Sequence, residues 1–206
     1  MTHTLHRKGD LESLRKDFVV LTMSAKTVND KGSAQKMRQF FEILEKYEPV
    51  NYGDMKTGNI LNTDRDTIYN GIQDRSIVHF VFTDKAVVEK VLDEVERAGL
   101  GTSVVVSGLV EATDQLCRQV GLNMNTVEFS GGIYGKMDLL PEASILEITT
   151  MCGHGMVAAN LVKEMINQIK KGKKTLQEAA FELSRPCQCG IFNPERTEAL
   201  LMKFFS

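Results

Sequence analysis

Three of the four cysteines and one of the four histidines lie in two glycine-containing stretches, "MCGHG" at 151–155 and "RPCQCG" at 185–190. Thiolates and imidazoles are the side chains that bind Zn²⁺, and three thiolates with one imidazole also suit an iron–sulfur cluster. The pattern predicts a zinc or iron–sulfur site with four ligands, Cys152, His154, Cys187 and Cys189. Glycine permits close backbone approach, so Gly153 and Gly155 are candidates for binding a cofactor.

A metal-free thiol site is the alternative. The sequence predicts a helix from about 153 to 171, which places Cys152 at its first turn. The partial positive charge at a helix start lowers the pKa of a thiol there. The N–H groups of Gly153, His154 and Gly155 would face a carboxylate or an oxyanion. His154 would then act as the nearby base or fix the substrate.

The "MCGHG" stretch followed by a helix resembles the proline racemase and diaminopimelate epimerase families. In those families a cysteine at this place acts as a proton-transfer base. The resemblance covers about five residues. It implies only that Cys152 is a thiolate at a helix end facing an anionic substrate. It does not extend to the two-lobed fold of those enzymes, because "SRPCQCG" follows too closely in sequence to be their second cysteine motif.

Composition excludes some classes of function. The 206 residues carry a formal net charge of −2 and no basic stripe, so a nucleic-acid partner has no electrostatic support. No apolar run approaches the ~20 residues that span a bilayer, which argues against a membrane role. The polar N-terminus "MTHTLHRKGDLESLRKD" lacks the apolar centre of a secretion signal, so we expect a cytoplasmic protein with reduced thiols.

The order of predicted elements indicates the fold class. Hydrophobic periodicity predicts strands at 18–24, 76–82, 102–108, 125–135 and 144–151. It predicts helices near 33–47, 85–98, 110–121, 153–171, 175–183 and 193–205. The stretch 48–75 has the composition of a loop, and a loop this long usually has a function or hides a short element. We therefore expect an α/β (or α+β) fold with a mixed sheet of about five strands. The chain would form one domain, 1–206, or two lobes, 1–140 and 141–206, with a C-terminal helical segment that closes over the site.

The remaining candidate residues have simpler interpretations. His79 alternates into a strand beside Phe80, which predicts a core or sheet-face histidine. His3 and His6 lie in what the sequence predicts to be a frayed terminus. Cys117 occupies the apolar face of a helix and is expected to pack as a small hydrophobic residue. The apolar side chains of "ALLMKFF" near the C-terminus must be buried against another surface, so we expect that the protein could form a homo-oligomer.

The sequence thus favours an enzyme of small-molecule metabolism, built around the four-residue cysteine and histidine site and acting on a small anionic substrate or effector. Two alternatives stay open at this point. One is a metal-free isomerase or lyase that uses the Cys152 thiolate. The other is a non-catalytic protein, either a metal or cluster carrier or a ligand-sensing module.

Overall fold

A five-stranded sheet lies between two groups of helices in the computed structural model, which describes residues 3–205. Its order is β3-β2-β4-β1-β5, with β1 Phe18–Met23, β2 Asn51–Asp54, β3 Gly58–Asn59, β4 Val78–Phe82 and β5 Ser103–Ser107. The predicted α/β class with about five strands is confirmed. All four strand pairings are antiparallel, whereas a mixed sheet was expected. The reason is that the chain passes from β4 to β5 across β1, so those two like-directed strands are not neighbours.

The helices before the last third of the chain are α1 Leu11–Leu14, α2 Ser33–Glu45, α3 Arg65–Asn70, α4 Lys85–Ala98 and α5 Val110–Gln119. The later ones are α6 Ala143–Thr149, α7 Ala159–Lys170, α8 Leu176–Ser184 and α9 Pro194–Met202, and a 3₁₀ turn covers Met137–Leu139. Several begin where the sequence predicts. The Asp84 side chain caps α4, Thr175 and Glu178 form a capping box at α8, and Asn193 caps α9 ahead of Pro194.

Each face of the sheet has its own core because side chains alternate along a strand. Phe18, Val20 and Phe80 face the helices α2 to α5. Val19 and Val81 face the helices α6 to α9, and this second core also contains Cys152, Cys187 and Cys189. The thiols therefore belong to the packed interior between the sheet and the C-terminal helices.

Two predicted strands are wrong. The stretch 144–151 is largely helix α6, because Ile145 and Ile148 are buried at helical spacing rather than in alternation. The stretch 125–135 has no regular structure and is mostly exposed, since its glycine-rich half offers few side chains to pack. The loop prediction for 48–75 was incomplete, because β2, β3 and α3 lie within it.

The C-terminal segment packs onto its own chain. Leu200 and Leu201 are buried in the second core, while Met202 and Phe205 are exposed. The chain itself covers part of the apolar stretch that suggested an oligomer, and the oligomer stays a prediction. Between residues 3 and 205, no helix has both the length and the apolar character that crossing a bilayer requires.

Candidate metal and thiol site

The structure brings the four predicted ligands together at one end of the second core. Cys152 follows α6, and Cys187 and Cys189 lie in the loop between α8 and α9. Their exposed fractions are 2%, 0% and 0%. His154 is exposed at the surface beside them. Four residues from two distant stretches thus share one place, as the sequence predicted, although their chemical role stays a prediction.

Cys152 does not stand at a helix N-terminus, and the argument from the helix dipole is wrong. Helix α7 begins at Ala159 rather than near 153, because Gly155 adopts a left-handed φ of +68° that a helix cannot contain. Cys152 lies three residues past the end of α6, and its N–H donates to the carbonyl of Thr149. This is the negative end of a helix, where a thiolate is disfavoured. Helix α7 is also not broadly buried, since only Val162, Met165 and Ile166 are buried in it.

The three thiols influence one another's ionisation. The hydrogen bond from Cys152 to Cys187, together with burial, raises the pKa of the Cys152 thiol. At Cys187 the bond from Cys152 favours the thiolate, but the bond to Cys189 and burial outweigh it and raise the pKa of Cys187 to about 12. The bond from Cys187 lowers the pKa of Cys189 against the effect of burial. Cys189 is therefore the thiol that ionises most readily, which moves the candidate nucleophile away from Cys152.

His154 faces the thiol of Cys189. Its Nδ1 atom lies 3.6 Å from the Sγ atom of Cys189. Burial and the nearby charge of His3 lower the pKa of His154, which favours the neutral imidazole. A neutral imidazole is the form that binds metal ions or accepts a proton from a thiol.

Asparagine side chains from the 48–75 stretch hold the Cys187–Cys189 loop. The Nδ2 atom of Asn59 donates to the carbonyl of Cys187 at 2.8 Å, and that of Asn51 donates to the carbonyl of Phe192 at 2.8 Å. Asn62 donates to the carbonyl of Arg185 at 3.0 Å. Both Asn59 and Asn51 are fully buried. The stretch that the sequence predicted to be a functional loop or a hidden element therefore fixes the backbone of the cysteine loop.

A buried arginine joins the two cysteine stretches. The Arg7 guanidinium donates to the carbonyls of Ile191 and Met151, and it pairs with Asp17, whose side chain has no exposed surface. Asp17 also pairs with Arg196 at 2.9 Å. Since buried charges persist only when they are paired, this network fixes both stretches relative to each other.

Two histidines that the sequence did not indicate as part of the site, His3 and His79, lie beside it. The Nε2 atoms of His3 and His79 lie 3.1 Å apart, and the ring of His3 stacks on that of His154 with centroids 4.8 Å apart. Burial lowers the pKa of His79 to about 3, so its ring is neutral. The prediction that His3 and His6 lie in a frayed terminus is wrong, because this segment is docked on the site. The sequence did contain one indication for His79. Side chains alternate along a strand, so His79 lies on the same face of β4 as Val81, which belongs to the second core.

A groove of about 380 Å³ opens beside Cys152. Its walls include Cys152, Gly153, Thr150 and His6, together with Ala158 and Ala159 at the start of α7. Ala158 at the N-cap of α7 provides no side-chain hydrogen bond to the helix start. The first N–H groups of this helix are thus left to solvent or to a ligand in the groove.

Within residues 3–205, no group of three or more histidine, cysteine or acidic side chains is already arranged to hold a metal ion. The thiols and His154 would have to turn toward a common centre to bind one. Comparisons of the chain with protein-family models, curated proteins and solved structures found no match.

Proposed function

We propose that the protein is an enzyme of small-molecule metabolism whose centre is a thiophilic metal ion bound by Cys152, Cys187, Cys189 and His154. The observation that carries the proposal is the contact between His154 Nδ1 and Cys189 Sγ at 3.6 Å, next to two further thiols buried in the same core. In a tetrahedral zinc site, bond lengths of ~2.3 Å to sulfur and ~2.0 Å to nitrogen give a separation of about 3.5 Å between the two ligand atoms.

A single ion fits this arrangement better than a cluster. The three thiols are buried in the packed second core, whereas an iron–sulfur cluster needs room between its cysteines for iron and sulfide. The contacts from Asn59 and Arg7 hold the backbone of both cysteine stretches in place, so the thiols and His154 would have to turn toward the ion on a fixed backbone.

The groove supports a small anionic substrate. Cys152 lines it, so a substrate in the groove would lie beside one of the ligands. The uncapped start of α7 faces the same space with the positive end of its dipole. His154 is the only exposed member of the four ligands, and its departure would give the metal an open position for the substrate.

A metal-free thiol enzyme is the second candidate function. The contact with His154 and the lowered pKa of Cys189 favour this residue over Cys152 as the reactive thiol. The complete burial of Cys189 is the main argument against it, since a nucleophile must reach its substrate. A non-catalytic metal carrier would share the ligands but would show no turnover.

Analysis of protein purified without oxygen tests the proposal. We expect about one zinc-class metal ion per chain and no acid-labile sulfide, and we expect His154→Asn to lower the metal content. Cys117→Ser is the matched control, because Cys117 lies on α5 outside the second core. Iron with sulfide would indicate a cluster, and protein without metal that still needs Cys189 for turnover would indicate the thiol enzyme.

A further inference from the structure

The ring of His154 depends on other residues for its orientation. It is exposed and lies between Gly153 and Gly155, which give the backbone little restraint. Within residues 3–205, its hydrogen-bond and ring partners are Cys189 and His3. The two rings are nearly parallel, with an interplanar angle of 28°. The stack therefore fixes the plane in which Nδ1 of His154 approaches Cys189.

His3 is itself anchored to the sheet. Its Nε2 atom forms a 3.1 Å hydrogen bond with Nε2 of His79, and the two rings meet edge-on at 85°. His79 is 2% exposed and lies on β4 opposite Gly53 of β2 and Leu21 of β1. A rigid strand thus sets the position of His3, and His3 sets the position of His154.

Residues 3–9, here termed the N-terminal strap, hold His3 at the site. A Cβ atom on Gly153 would collide with the carbonyl of His3, so only glycine admits this approach. The N–H of Lys8 donates to Oγ1 of Thr150 at 3.0 Å, and Arg7 binds the carbonyl of Ile191. The strap thus contacts both cysteine stretches.

We infer that His3 is a positioning residue that orients His154 toward Cys189, so that the N-terminal strap is part of the functional site. This inference rests on the proposed function, because His3 would act through His154, one of the four proposed metal ligands. Residues that orient a metal-bound histidine typically contribute 10- to 100-fold to metal affinity.

Cobalt titration without oxygen tests this role, since Co²⁺ reports its ligands by absorption. We expect His3→Ala to weaken Co²⁺ binding by about 10- to 100-fold. The thiolate-to-cobalt band should persist because all three thiols remain. The visible ligand-field bands should move toward those of His154→Asn.

His3→Phe keeps an aromatic ring for the stack and should recover part of the affinity for Co²⁺. Lys8→Ala, which keeps the backbone N–H that donates to Thr150, is the matched control on the same strap and should bind as the wild type does.

Wild-type affinity and bands in His3→Ala would overturn the inference, and so would equal weakening in Lys8→Ala. The absence of a thiolate-to-cobalt band in the wild type would instead overturn the proposed metal site.

NMR of the metal-free protein then tests the role of His3 independently of metal binding. The ring-proton resonances of His154 should show the upfield shift of a stacked ring in the wild type and in His3→Phe, and should lose it in His3→Ala. Unchanged His154 resonances in His3→Ala would contradict the role of His3.

Discussion

His154 and Cys189 are 35 positions apart in the sequence, and yet Nδ1 of one lies 3.6 Å from Sγ of the other. The contact depends on two turns in different parts of the chain. Cys189 precedes Gly190, whose left-handed φ of +77° lets the loop pass directly against the backbone of Tyr52 and Gly53. His154 follows Gly153, which lies against the strap. The contact between His154 and Cys189 therefore depends on close backbone approaches at Gly153 and Gly190, where a larger side chain would collide with neighbouring backbone atoms.

Removal of any one of the three clustered thiols should abolish stabilisation by zinc. A metal that binds only the folded state at 100 times its Kd adds about 2.7 kcal/mol to the free energy of unfolding. We expect that gain in the wild type and in Cys117→Ser, and little of it in Cys152→Ser, Cys187→Ser or Cys189→Ser. Denaturant unfolding with and without zinc measures it. Equal gains in all five proteins would place the metal elsewhere.

Asn59 should matter more than Asn62 for the cysteine loop. Asn59→Ala leaves the buried carbonyl of Cys187 without its donor, which typically costs about 1–3 kcal/mol. The Asn62 amide donates to the carbonyl of Arg185 at an exposed position, where water replaces it, and its Oδ1 accepts from the N–H of Asn59 at a position that is only partly buried. Urea unfolding of both variants should therefore show the larger loss in Asn59→Ala. A larger loss in Asn62→Ala would contradict the role given to the buried amide.

A methyl group at Gly153 should displace the strap. Gly153→Ala places Cβ against the carbonyl of His3, and such overpacking typically costs about 1–3 kcal/mol. Hydrogen exchange should report faster exchange across residues 3–9. Gly131→Ala is the control, because a Cβ there meets no atom within 4 Å. Unchanged exchange of the strap in Gly153→Ala would show that the close approach is not needed.

Acid should destabilise the protein through His79. Burial lowers its pKa in the folded state to about 3, so between there and the ordinary value of 6.5 the unfolded chain binds more protons. Stability from this residue is complete above pH 6.5 and is lost as the pH falls, by at most ~1.4 kcal/mol per pH unit. His79→Gln should flatten the profile below pH 6.5. A profile that His79→Gln leaves unchanged would contradict this assignment.

Sequence patterns correctly predicted the helices that have clear hydrophobic periodicity. They failed where tertiary contacts determine whether a segment is a helix or a strand. Helices α2, α4 and α8 have amphipathic spacing, and α4 and α8 also have side-chain caps that act locally. The partial alternation of apolar and polar residues in 144–151 suggested a strand, although burial of Ile145 and Ile148 against the other C-terminal helices makes this segment helical.

The site was predicted from residue types alone, and its supporting shell was not. The side chains of cysteine and histidine can bind metals or react in any structural context, so the sequence alone indicated Cys152, His154, Cys187 and Cys189 as candidates. His3 and Asn59 act through contacts 76 and 128 positions away, with His79 and Cys187 respectively. No local pattern encodes contacts of that range.

X-ray absorption at the metal edge of the protein, purified without oxygen, tests the central claim most directly. We predict three sulfur neighbours at about 2.3 Å and one nitrogen neighbour at about 2.0 Å. His154→Asn should remove the nitrogen from that shell and keep the three sulfurs. A shell of oxygen and nitrogen atoms only, or protein that contains no metal, would contradict the proposed site.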